Sequence, residues 1–239
     1  MVAALAMATA TAAPAEIFSR KQVAAELSVM PLYQTLAKHY PTTHSKIVGE
    51  IADGLNNGRR RSDVVAELHS LVIALLAKEA PKANIENTVN LLSITRDQTK
   101  ATLAKDPAAC MALLGLAPDD GALAKALPQD LVDQEMVVTA KLLEQTALAP
   151  EQPVDPLDPQ TVDALAFEAY DRLPDDRLRA AFMRIGGDAS KATDPISQTA
   201  YCEFSLAMFD IMLSMPPIEA ARTFKGFNAL EAAENQPTP

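Results

Sequence analysis

Tryptophan is missing from this chain, and only four tyrosines and seven phenylalanines stand among its 239 residues. A core must then come from Leu, Ala, Val, Ile and Met. That palette suits helix-on-helix packing and is poor for sheets, which favour β-branched and aromatic side chains. Glycine is scarce as well, with eight in all, too few for the tight turns of an all-β fold. No stretch is both long and uncharged enough to supply the ~20 apolar residues that cross a bilayer. The single-chain signatures of hydrolases, zinc proteases and nucleotide enzymes are absent too: there is no Gly-x-Ser-x-Gly, Ser-x-x-Lys, His-Glu-x-x-His, Gly-rich phosphate loop or Gly-x-Gly-x-x-Gly. No catalytic residue is therefore assigned, and neither a cofactor nor a bound metal is expected.

Positive charge is also short. The formal net charge is −10, and it is unevenly spread. Lys and Arg number 12 against 10 Asp and Glu up to Cys110, then 9 against 21, so the back half carries −12. Such a field repels nucleic acid and anionic membranes and attracts basic partners. The one basic cluster, Arg59-Arg60-Arg61, is short and is followed by Asp63, as in a solvated loop.

Cysteine occurs twice, as Cys110 and Cys202. They are too far apart for a zinc ribbon or a Cys-x-x-Cys redox pair. In an oxidising compartment they form one disulfide, and closing so long a loop stabilises a fold by about 4 kcal/mol. In a cytosolic protein they would be two unrelated buried thiols. The other pointer to compartment is residues 1–15, uncharged and Ala-rich, ending in the small-x-small triplet Ala13-Pro14-Ala15. This reads as a signal peptide lacking its basic end, cut before Glu16. The alternatives are a disordered arm or the first turns of an ordinary helix. The expected address is periplasmic or secreted, and cytoplasmic if residues 1–15 are no signal.

What is present in quantity is helical periodicity with fitting punctuation. The first helix is expected from Ser19 to about Ala37, kinked near Pro31. Thr42 or Thr43 caps a second that ends at Gly58, Ser62 caps a third that closes at Pro81, and Asn84 starts a fourth towards Lys105. Asp106-Pro107 opens a short helix that Gly115 stops, followed by a turn at Pro118 to Gly121 and a helix from Gln129 to Leu148 that buries Leu131, Met136, Val138, Leu142 and Leu143. Residues 149–160 carry a proline every third position, which favours extended backbone. Asp158-Pro159 and Pro174 start further helices, the latter stopped by Gly186-Gly187. Asp194-Pro195 opens the most apolar one, through Met215, whose lack of a polar face marks a central position. A last helix follows Pro216-Pro217.

The expectation is an all-α fold, an irregular multi-helix bundle of about eight to ten helices in one compact body. Residues 16–230 form a single domain, with a front half 16–148, a Pro-rich connection 149–160, a back half 161–230 and a flexible tail 231–239. A Cys110–Cys202 bridge would staple the two halves.

Candidate chemistry is thin. His39 and His44 flank an expected interhelical loop and would need a third ligand to hold zinc, and His69 is read as structural. The acidic groups Asp119/Asp120, Asp155/Asp158 and Asp171/Asp175/Asp176 sit at helix boundaries, where Asp serves as a cap. The last group, Asp171, Asp175 and Asp176, is also the candidate surface for a basic protein. The Met-rich stretch from Met208 to Met215 is read as core, or as the wall of a greasy pocket. Three functions remain open. The first is a non-enzymatic exported protein that binds a basic partner protein, as an inhibitor, an immunity protein or an envelope assembly factor. The alternative is a carrier of a small apolar ligand in a Met-rich interhelical pocket. A hydrolase built from His39 or His44 with a distant carboxylate is the third. No nucleic acid and no stable membrane insertion are expected in any of them.

Overall fold

The structure is a computed structural model that describes residues 18–119 and 121–234. The 1–15 segment, Asp120, residues 235–239 and the side chains of Ser62 and His69 lie outside the described residues. Those described form twelve α-helices and no strand. They are α1 (Arg20–Leu27), α2 (Pro31–His39), α3 (Pro41–Asn56), α4 (Arg61–Glu79), α5 (Ile85–Leu103), α6 (Pro107–Leu113), α7 (Ala122–Ala126), α8 (Gln129–Leu148), α9 (Pro159–Asp171), α10 (Asp176–Ile185), α11 (Pro195–Ser214) and α12 (Pro217–Glu234). The all-α class holds, while the expected eight to ten helices become twelve.

Two of the differences have a local cause in proline. The helix expected from Ser19 to Ala37 is α1 and α2, parted at Ser28 to Met30. Pro31 takes the first position of α2 and forces Met30 into extended backbone (φ −98°, ψ 129°). Pro41 likewise takes the first position of α3, and Tyr40 before it leaves helical geometry (φ −131°, ψ 56°), so Tyr40 precedes that helix in place of the expected Thr42 or Thr43 caps, and the linker is a single residue. The Tyr40 hydroxyl fixes this corner by donating to the Leu143 carbonyl at 3.0 Å. Burial raises its pKa above the ordinary tyrosine value. The helix α7 has no apolar run long enough to show in sequence, and α12 extends to Glu234, into the segment expected as a tail.

Elsewhere the punctuation acts as its chemistry requires. Asp106, Asp158 and Asp194 cap α6, α9 and α11, each with proline at the first helical position. The Thr161 hydroxyl and N–H hold the Asp158 carboxyl below the usual carboxylate range, and Ser197 does the same for Asp194. Gly115 and Gly186 stop α6 and α10 in the left-handed region, at φ 74° and 62°.

The core has three connected parts. The first joins α1 to α4 with α8, through Leu27, Leu32, Leu36, Ile47, Leu142 and Leu143. The second joins α5, α9, α11 and α12, with Leu92, Leu165, Met208, Ile211 and Met212 inside. Leu91 on α5 packs against both, so α5 is the shared wall between front and back halves. The third surrounds the disulfide: Cys110 on α6 and Cys202 on α11 are bonded, with Cα atoms 6.4 Å apart across 92 positions, and neither is exposed.

The Pro-rich connection is fastened at several points. Glu151 N–H donates to the Lys82 carbonyl at 2.8 Å, and Leu157 N–H to the Gly226 carbonyl at 3.2 Å. The buried Lys225 amine donates to the Ala83 carbonyl and lies 3.3 Å from the Glu151 carboxylate.

One close approach makes a stability prediction. A Cβ added at Gly54 on α3 would lie 2.6 Å from Cγ2 of Val64 on α4, and Val64 is buried and stiff at χ1. Ala gains ~1 kcal/mol in helix propensity, while overpacking costs about 1–3 kcal/mol. The Gly54→Ala protein is expected to lose about 1 kcal/mol, read as a lower urea midpoint. A raised midpoint would contradict the contact.

Candidate functional site

Helical spacing builds an apolar cleft on the inner side of the back half. Leu91, Thr95 and Gln98 lie at i, i+4 and i+7 on α5, so they share one face. On α11, Tyr201, Phe204, Ser205, Met208 and Met212 form a parallel stripe. Phe224, Phe227 and Asn228 of α12 make the third wall, and Ile73 and Leu76 of α4 the fourth. The cavity holds about 390 Å³ and is half open to solvent. That volume falls within the usual 300–1,000 Å³ of small-molecule sites.

The walls are held from behind. Phe182 on α10 stacks on Phe204, with ring centroids 4.3 Å apart, and Tyr170 and Tyr201 lean on the same group. Met212 is fully packed and Met208 nearly so. Both therefore belong to the core and line the cleft at once, so the two readings of the Met-rich stretch are not exclusive. At the mouth, Ile73 and Leu116 are 46% and 38% exposed, large apolar side chains that face solvent.

The polar side chains of the cleft are Thr95, Gln98, Glu135, Tyr201, Ser205 and Asn228. Glu135 of α8 is the one charged side chain among the described lining residues. Its Oε2 accepts from Gln98 Nε2 at 2.9 Å. The hydroxyls of Thr95 and Ser205 donate back to the Leu91 and Tyr201 carbonyls of their own helices, at 2.9 and 3.0 Å. Such a lining binds apolar surface and orients it with a small number of polar contacts.

The residues singled out in the sequence are placed elsewhere. His39 lies in the last turn of α2 and His44 in the first turns of α3, so the expected interhelical loop around them is a one-residue corner. His39 Nε2 is buried, 3.6 Å from Glu144 Oε1, a carboxylate already held by Lys38 at 3.1 Å. Among the described residues no group of three or more His, Cys, Asp or Glu could hold a metal ion.

The acidic groups are largely caps. Asp119 accepts from the N–H groups of Gly121 and Leu123, and Asp175 caps α10 through Leu178 N–H at 2.8 Å. Asp176 pairs with Arg179 at 2.6 Å, and Arg179 also donates to the carbonyls of Asp171 and Leu173. Asp171, Asp175 and Asp176 alternate with Arg172, Arg177 and Arg179, so the candidate partner surface is locally balanced in charge. A second, open groove of about 600 Å³ runs over α1 and α3, and its charges offset each other, with Arg20 and Asp53 paired at 3.0 Å.

The cleft had one sequence signal, the apolar helix from Ile196 to Met215. Its other walls did not show, because α4 and α5 lie far from α11 in sequence, and the way α12 folds back beside α11 is not written in its periodicity. No helix among the described residues is long and apolar enough to cross a membrane. No protein-family model matches the chain, and no curated protein or solved structure matches it.

Proposed function

We propose that the protein is a non-catalytic carrier that holds a small apolar molecule in the cleft between α4, α5, α11 and α12. The observation that carries this reading is a half-open cavity of about 390 Å³ walled by Leu91, Phe204, Met208, Met212, Phe224 and Phe227. At ~30 Å³ per water-sized group, it has room for about a dozen such groups. Export accords with the same proposal, since disulfides persist in oxidising compartments and a bonded, unexposed Cys110–Cys202 pair supports a periplasmic or secreted address.

Binding of the neutral dye phenylnaphthylamine, which brightens on leaving water, tests the proposal. The native protein is expected to bind it at micromolar concentration, about −8 kcal/mol. Ser205→Trp places an indole in the cleft and is expected to weaken binding at least ~tenfold, with the melting temperature checked in parallel. Unchanged dye binding in a folded Ser205→Trp protein would sink the assignment.

The second reading is an exported protein that binds a basic partner, as inhibitor or assembly factor. The charge of −12 after Cys110 favours it. The balanced Asp171 to Arg179 segment gives it no focused surface.

A further inference from the structure

We infer that the Cys110–Cys202 bond is the clasp of the apolar cleft: intact, it seats residues 113–116 as one lip, and its reduction by a dithiol parts that lip from α11 and weakens the hold on an apolar guest. The inference rests on the carrier reading and adds its regulation.

The bond and the cleft share a wall. Cys202 follows Tyr201 on α11, and Tyr201 lines the cavity. Cys110 lies on α6, one turn before Leu113 and Leu114, which line it as well, and Leu116 stands at the mouth. Leu114 and Tyr201 also pack into the cluster around the two sulfurs, so these side chains have the bond behind them and the cavity in front. Backbone hydrogen bonds carry the coupling along the chain. Leu114 N–H donates to the Cys110 carbonyl at 3.1 Å, and Leu116 N–H to the Met111 carbonyl at 2.9 Å. The lip therefore moves with α6.

What keeps α6 in place decides the rest. It has seven residues, too few to persist without tertiary support. It lies against α5 and α11, and the bond is its covalent tie to α11. A dithiol breaks that tie in two exchanges. One thiolate of the reductant attacks a sulfur, the S–S electron pair leaves on the other sulfur, and the second thiolate closes the reductant into its own disulfide. The dithiol's two electrons and two protons end on Cys110 and Cys202 as thiols. Neither cysteine is exposed, so the exchange follows a local opening of α6, the same movement that lifts the lip. Without the bond α6 is free to leave α11 again, and the guest loses the apolar contact of Leu113, Leu114 and Leu116.

The test is phenylnaphthylamine binding to the full-length protein, oxidised and after dithiothreitol, and to C110A/C202A, with hydrogen exchange read by mass spectrometry on the same samples. The reduced and C110A/C202A proteins are expected to bind the dye at least ~tenfold more weakly than the oxidised protein. Amides of residues 107–116 are expected to lose protection while those of α2 and α8 keep it. Leu36→Ala opens a hole in the front cluster, away from the cleft lining, and lowers stability without touching the lip; its dye affinity is expected to match the native one. Equal affinity of the oxidised and reduced proteins overturns the inference and leaves the carrier reading standing. So does an equal loss of affinity in Leu36→Ala, or a loss of protection across α2 and α8 on reduction, since the bond would then hold the whole fold and not one lip. Failure of the oxidised protein to bind the dye removes both readings.

Discussion

The C110A/C202A protein will unfold about 4–5 kcal/mol more readily than the native protein in urea, the chain-entropy value for so long a loop. The bond joins positions 92 apart, so in the unfolded chain it removes a large set of extended conformations. Its loss acts on the native state as well. The helix α6 has seven residues, too short to persist without tertiary support, and its contact with α11 runs through Cys110 and Met111, both essentially unexposed. Replacing both cysteines avoids leaving a lone reactive thiol. The m-value should also rise, because an unfolded state without the cross-link is more expanded and exposes more surface. Unfolding curves of the two proteins in the absence of reductant check both quantities. A loss below about 1 kcal/mol, the size of an ordinary substitution, would mean that packing alone seats α6 on α11 and that the staple between the halves is incidental.

Much of this architecture is legible where a single residue decides it. Asn84, Asp106, Asp158 and Asp194 start helices because a side-chain oxygen accepts an otherwise unpaired backbone N–H, a local event that needs no knowledge of the fold. The helix α8 runs from Gln129 to Leu148, the expected bounds. Features that depend on competition between neighbours are harder to read. At Tyr40-Pro41-Thr42-Thr43, proline at the first helical position prevails over the two candidate caps. On α8 Met136, Leu142 and Leu143 are buried as expected, whereas Leu131 and Val138 are only partly covered and Val132, Thr139 and Thr146 are buried as well. The reason is that α2 and α5 pack on α8 together, so its covered surface is wider than an apolar stripe and takes in threonines. Thr146 satisfies its hydroxyl on the Leu143 carbonyl at 3.2 Å.

The cleft shows the same division. The sequence of α11 marks it as apolar nearly all round, but periodicity says only that a side chain leaves water. Whether it meets another side chain or a void depends on where α4 and α12 lie. Phe204 illustrates this: one face is stacked on Phe182 at 4.3 Å and the side chain also lines the cavity. The candidate partner surface fails to stand out for a complementary reason. Asp171, Asp175 and Asp176 read as acidic in isolation, yet helix geometry puts Arg179 within 2.6 Å of Asp176 and next to the end of α9.

Leu91 and Leu92 adjoin in sequence and will respond very differently to truncation. Leu92 is fully buried on α5, in the cluster that also holds Leu165, Met208, Ile211 and Phe224. Cutting it to alanine removes its transfer free energy and leaves a hole that four helices cannot collapse into, and the expected loss is about 3–5 kcal/mol. Leu91 is half-buried and lines the cleft while touching both main clusters. Part of its surface already faces an open cavity, so Leu91→Ala forfeits fewer contacts and enlarges a space that water or a guest can occupy, at a cost of about 1–2 kcal/mol. The pair therefore measures, by stability alone, whether the cleft is hollow in solution. Equal losses for the two variants would mean that α12 and α4 close over Leu91 and that no cavity is there to carry anything. A loss at Leu92 at least twice that at Leu91, together with dye binding that survives Leu91→Ala, is the outcome expected of a carrier.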